Sequence, residues 1–116
     1  VDLWFSPITK DQMADNLAFA DHALGKIRSL TPNLILVYLP NAPLRETYVN
    51  EHFPERRERF LDNMEQLAAK HGIPFVNLRN QLGNDALYLD FHHWNSSGTK
   101  AGNALLAKHL FTLLSE

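Results

Sequence analysis

The strongest constraint on this chain is the run Asn33-Leu-Ile-Leu-Val-Tyr-Leu-Pro40. It is apolar between its ends, carries β-branched and aromatic members, and is flanked by Pro32 and Pro40. At this length such a run reads as a strand rather than a helix. A strand without polar alternation has no solvent face, so it calls for cover on both sides, as in a parallel sheet. Parallel strands need long crossover connections, usually helices.

The flanking sequence supplies them. Thr9 stands three residues before Gln12, a capping-box pattern. Met13, Leu17, Ala20, Leu24 and Ile27 then recur at spacings of four and three, which predicts a helix to about Leu30, stopped by Pro32. After the strand, residues 40–54 hold three prolines and two asparagines and read as a long loop, the kind that often carries function. A second helix is expected over Glu55–His71, with Phe60, Met64 and Leu67 as its apolar stripe and Gly72 as its stop. Ile73–Leu78 reads as a second buried strand and 79–96 as loop. Residues 97–114 read as a third helix, with Ala101, Ala104, Leu105, Lys108, Phe111 and Leu114 bracketing its buried side.

The order helix, strand, helix, strand, helix predicts an α/β fold, a three-layer sandwich around a parallel sheet of flavodoxin-like type. Two strands are too few for a stable sheet. Either residues 1–8 (VDLWFSPI) add an edge strand or docked arm, or the remaining strands lie on polypeptide outside this chain. Residues 1–116 are therefore expected to be the C-terminal portion of a single domain. Val1 in place of an initiator Met fits a processing site or the cut edge of something longer.

Composition narrows the function classes. Net charge is −2, and the one dense basic spot, Arg56, Arg57 and Arg59, alternates with Glu55 and Glu58. That reads as a solvated helix face and leaves no footprint for nucleic acid or an anionic membrane. No apolar run approaches the roughly 18 residues of a membrane span. With no cysteine, disulfides, thiolate chemistry and cysteine zinc sites are excluded, and no compartment is assigned.

The chemistry-bearing stretch is Tyr88-Leu-Asp-Phe-His-His-Trp-Asn-Ser-Ser-Gly98, between the last strand and the last helix. Ligands of open α/β sheets bind at the loops after the carboxyl ends of strands. Asp90 precedes His93 by three residues, so its carboxylate can reach the imidazole Nδ1–H and fix the tautomer that leaves Nε2 to act as a base. Asn95, Ser96 and Ser97 offer helix-capping oxygens, and Gly98 permits close packing at the helix start.

Asp90-x-x-His93-x-Asn95-x-x-Gly98, followed by an amphipathic helix, resembles the last conserved block of SGNH (GDSL-like) hydrolases, and the order of elements from about residue 9 to 114 is similar too. The resemblance implies a carboxylic-ester hydrolase or O-acyltransferase with a Ser-His-Asp triad. Asp90 and His93 would be its catalytic acid and base, and no cofactor or metal would be needed. The implied substrates are small-molecule, carbohydrate or lipid esters. The family's Gly-Asp-Ser turn and its Gly-x-Asn-Asp block are missing from this sequence. Ser6 is followed by proline and lacks the preceding Gly-Asp, and Gly83-Asn84-Asp85 reads better as a tight turn. The serine is therefore expected on a preceding segment, a missing N-terminal half that would also be a partner of this chain. The alternative is a catalytically inactive flavodoxin-like or pseudo-hydrolase module that binds a glycan or a protein.

Other residues carry two readings each. Trp94 lines an acyl or sugar pocket, or packs beneath the last helix. Asn41 and Tyr48 touch substrate from the long loop, or are ordinary loop polarity. His92 lines the site or faces solvent. A metal on His92 and His93 is disfavoured, because adjacent residues rarely aim at one ion. His22, His71 and His109 are expected at the surface.

Overall fold

The computed structural model describes residues 10–90 and 92–115. The arm at residues 1–8, the cap at Thr9 and the serine at Ser6 lie outside these. The described elements run α1 (Lys10–Leu30), β1 (Leu36–Tyr38), α2 (Pro43–His52), α3 (Pro54–Lys70), β2 (Phe75–Asn77), a 3₁₀ turn (Asp85–Leu87) and α4 (Ser96–Leu114).

The expected three-layer α/β sandwich is not what the chain forms. Among the described residues the structure is mostly helical, with four α-helices and a two-stranded sheet. The two strands do pair in parallel, Leu36 with Phe75, Val37 with Val76 and Tyr38 with Asn77. Each is only three residues long, and no residue of β1 is fully buried. The double cover that an all-apolar strand calls for is incomplete, and Leu39 just beyond it is exposed. The physical reason lies in the backbone. A helix closes its hydrogen bonds within its own segment, whereas a strand depends on neighbours.

The region read as a long loop contains α2. Its prolines are start signals rather than breakers. Pro43 and Pro54 sit in the first turns of α2 and α3, where a missing N–H costs nothing. Phe53 joins the two helices, donating its N–H to Val49 O at 2.7 Å.

Helix α3 is the centre of the fold. It buries Arg57, Leu61 and Ala68, while Phe60 of the expected stripe is exposed. Arg57 is 6% exposed, so it does not belong to a solvated face. Its guanidinium pairs with Glu46 of α2, donates to Asn50 Oδ1 at 2.9 Å and reaches Glu46 O at 3.3 Å. A buried charge needs this much satisfaction. Helix α3 ends at Gly72, whose φ of 66° is the left-handed conformation expected after a helix.

Helix α1 docks on α3 through polar contacts as well as its stripe. Lys70 Nζ and His71 Nε2 both lie 2.6 Å from the Asp21 carboxylate, so His71 is not a surface residue. The His71 ring lies against Gly25, where any Cβ would press on it. That close approach accounts for a glycine inside a helix.

Helix α4 presents Gly98 and Gly102 as its buried positions, whereas Phe111 and Leu114 are exposed. Ala101, Leu105, Leu106, His109 and Leu113 are partly buried, and the last three face Ile35, Val37 and Val76 across an apolar cleft.

Candidate active site

The loop between β2 and α4 closes on itself. Tyr88 and Trp94 form an antiparallel bridge, Leu89 N donates to His93 O at 2.7 Å, and Asn95 N donates to Leu87 O at 2.9 Å. Tyr88 is buried and its hydroxyl donates to Leu82 O at 3.1 Å. Upstream, Asn84 caps the 3₁₀ turn by accepting from Ala86 N at 3.0 Å, so Gly83-Asn84-Asp85 serves as a turn.

Within this closed loop Asp90 organises the site. Its Oδ1 accepts from His92 N at 2.9 Å and from His93 N at 2.8 Å. Its Oδ2 lies 2.7 Å from His93 Nδ1. The arrangement follows from sequence spacing. A carboxylate that caps the N–H groups two and three residues ahead leaves its second oxygen facing the side chain at position three. Three donors converge on one carboxylate: the His92 N–H, the His93 ring and the His93 N–H. They hold its pKa well below the usual aspartate range, so Asp90 is ionised wherever the protein is folded near neutral pH. With Nδ1 committed to Asp90, His93 keeps its lone pair on Nε2. The His93 side chain is 64% exposed, and among the described residues nothing hydrogen-bonds Nε2.

The start of α4 braces the loop from behind. Asn95 Oδ1 accepts from Gly98 N at 2.9 Å, and Asn95 Nδ2 donates to Ala86 O at 2.6 Å. A Cβ on Gly98 would overlap the carbonyl of Leu87, and one on Gly102 would overlap the Trp94 ring. Trp94 therefore packs beneath α4, the second of its two readings.

Of the other candidates, His92 stands beside the pair, its ring centroid 4.2 Å from that of His93. Nδ1 of His92 lies 4.0 Å from Asp90 Oδ1, and one ligating atom from each of Asp90, His92 and His93 falls within 4.8 Å of the others. These three are the residues that could hold a metal, although two of them are chain neighbours. Asn41 turns instead to α2, donating to Glu46 Oε1 at 3.2 Å. Tyr48 lies on α2, stacked on His52 at 4.2 Å.

Sequence reading missed the wall beside Asp90. A cleft of about 340 Å³ is lined by Ala42, Leu44, Asp85, Tyr88, Leu89 and Asp90. It joins the segment after β1 to the loop that carries Asp90 and His93, tied by Leu44 N donating to Asp85 Oδ1 at 3.2 Å. Only the position of Leu44 after an apolar strand could have signalled it.

Comparison with family models, with curated proteins and with solved structures found no match to this chain.

Proposed function

We propose that this chain supplies the base and the orienting acid of a Ser-His-Asp triad that cleaves or transfers carboxylic esters, in the manner of SGNH hydrolases. The supporting observation is the 2.7 Å contact between His93 Nδ1 and Asp90 Oδ2 on an exposed loop. The serine comes from polypeptide outside the described residues, in keeping with a partner segment that precedes this chain.

In this reading the serine Oγ attacks the ester carbonyl while His93 Nε2 accepts its proton. Asp90 stabilises the imidazolium that results. Collapse of the tetrahedral intermediate expels the alkoxide, which takes the proton back from Nε2 and leaves as an alcohol. The acyl-serine is then attacked by water, giving hydrolysis, or by an acceptor hydroxyl, giving transfer. The substrates are esters of small molecules, carbohydrates or lipids. No helix of the described residues is long and apolar enough to cross a membrane.

A second reading has one observation in its favour. Among the described residues no hydroxyl hydrogen-bonds His93, which suits a non-catalytic module that binds a glycan or a protein. p-Nitrophenyl acetate separates the two. The 116-residue chain is expected to show no rate sensitive to a fluorophosphonate serine inhibitor. A polypeptide that also supplies the serine is expected to show one, and there His93→Ala should lower that rate by at least about 10⁴-fold. An inhibitor-sensitive rate untouched by His93→Ala overturns the triad.

A further inference from the structure

We propose that Asp90, His92 and His93 form a binding site for a borderline divalent metal ion of the Zn²⁺ class, and that the ion binds by taking the place of the hydrogen between His93 and Asp90. The binding claim goes beyond the function proposed above. Only its consequence for catalysis rests on that reading.

The donor set favours this class of ion. Two imidazole nitrogens and one carboxylate oxygen suit Zn²⁺, Co²⁺, Ni²⁺ or Cu²⁺, while Mg²⁺ and Ca²⁺ prefer oxygen alone. The spacing also fits. The 4.0 Å between His92 Nδ1 and Asp90 Oδ1 is too long for a hydrogen bond. A tetrahedral ion with bonds of about 2.0–2.2 Å holds its ligand atoms roughly 3.3–3.6 Å apart, a little closer than this pair stands. An ion seated between His93 and the Asp90 carboxylate needs a small closing movement of the His92 side chain and a small opening of the 2.7 Å His93–Asp90 contact. The second imidazole is already alongside, with its Nδ1 2.7 Å from the other carboxylate oxygen.

The backbone explains why neighbouring residues can share an ion here. Asp90 Oδ1 holds the N–H groups of both histidines, and the Leu89–His93 hydrogen bond closes the loop behind them. This tight turn folds the chain around the carboxylate, so the two rings sit at a mutual tilt of 44° instead of pointing to opposite sides. All three side chains are open to solvent, at 50%, 40% and 64% exposure for Asp90, His92 and His93, so an ion can enter without any part of the fold opening. Three protein ligands leave a fourth position for water.

Binding moves one hydrogen. A neutral His93 carries its hydrogen on Nδ1, directed at Asp90. To ligate through Nδ1 the ring must carry that hydrogen on Nε2, with the ion in its former place. Nε2 is then a donor and cannot accept a proton from a serine. On the triad reading, an ion at this site switches the base off.

The test uses the 116-residue chain with Zn²⁺, and Co²⁺ as its spectroscopic stand-in. Imidazole resonances followed by nitrogen-15 NMR should shift for His92 and His93 on adding Zn²⁺, with saturation at one ion per chain. Co²⁺ should develop visible d–d absorption. His92→Ala should weaken binding at least about tenfold, since outer-shell changes alone cost that much. His71→Ala, at the other Asp–His contact, should leave affinity unchanged. Shifts confined to other histidines, no saturable binding, or equal affinity in His92→Ala would each overturn the site. The wild-type NMR result stands even if a variant proves unstable. Zinc binding that leaves a serine-inhibitor-sensitive ester hydrolysis unaffected upholds the site and overturns the triad.

Discussion

The loop from Tyr88 to Gly98 and the body built from α1, α3 and the two strands are held together in opposite ways. The loop is mostly exposed, yet its polar atoms are tightly accounted for. One carboxylate takes three hydrogen bonds, and one asparagine both caps α4 and ties it to Ala86. The body relies on apolar burial, and that burial is thin. Leu61, Ala68, Ile73 and Leu78 are buried in it, while Phe19, Ile27, Leu39 and Phe60 are exposed. The molecule is flat, 41 × 39 × 18 Å, with a radius of gyration of 15.6 Å. A compact domain of this length would have a radius near 13 Å. Directional contacts between residues close in sequence fix a geometry without a deep core, so a site can be well defined on a loosely packed scaffold.

The comparison is sharpest where function and stability can be pulled apart. Asn in place of Asp90 keeps an oxygen for the two backbone N–H groups but turns an amide N–H₂ towards His93 Nδ1. The loop should survive and the histidine should adopt the wrong tautomer. In any polypeptide that adds the serine, the proposed triad predicts that Asp90→Asn cuts ester turnover by about 10³–10⁴-fold. Urea midpoints should stay close to wild type. A matching collapse of stability would show that the carboxylate serves as a structural cap and nothing else.

The junction behind the loop should be intolerant of bulk. A methyl on Gly98 meets the Leu87 carbonyl, which is backbone and cannot rotate away. Gly98→Ala is expected to cost about 3 kcal/mol, the upper end for overpacking. Gly102→Ala meets the Trp94 ring, which has a rotamer to yield, and should cost less. Chemical denaturation of both variants checks the order. If Gly102→Ala is the worse of the two, the indole is wedged more firmly than the backbone.

What could be read from the sequence follows the same division. Asp90, His93, Asn95 and Gly98 were identifiable because each partner stands three residues from the other, and fixed spacing dictates a local contact. The parallel strand pair was expected, but not the shortness of its strands or the predominance of helix, because strand length is set by neighbours. Pro43 hides helix α2 from the sequence, because a proline in a helix's first turn looks the same as a breaker. The burial of Arg57 is invisible in the sequence because its partner, Glu46, lies eleven residues away on another helix. Charge alternation on one helix says nothing about the helix beside it. The place of Asn41 after β1 leaves its partner open, and in the fold its amide donates to the same Glu46.

The buried pair offers a way to weigh the body. Leu61→Ala removes one of its few buried large side chains and should cost about 3 kcal/mol, within the usual range for such truncations. Arg57→Met keeps the bulk and removes the charge. Glu46 then loses its cation but keeps the Asn41 amide and some solvent access, at 18% exposure, so a smaller loss of about 2 kcal/mol is expected. If Arg57→Met proves neutral, the polar cluster between α2 and α3 contributes specificity and no stability.

The smallest expected effect tests whether polar contacts also hold the body where they are exposed. Asp21 on α1 faces Lys70 and His71 at the end of α3, with His22 and Lys26 along the same shallow cleft. The hydrogen bond from Lys70, and then that from His71, lowers the pKa of Asp21 below the ordinary carboxylate range. A carboxyl whose folded pKa is depressed binds protons more weakly when folded than when unfolded. Its contribution is therefore fully present above the unfolded value, about 3.9, and fades as pH falls through the folded one. Thermal midpoints should decline more steeply below about pH 4 in the wild type than in Asp21→Asn, and the two curves should converge in acid. Salt should narrow the gap at neutral pH, because the pair is open to solvent. Parallel curves at every pH would mean that α1 is held on α3 by its apolar stripe alone.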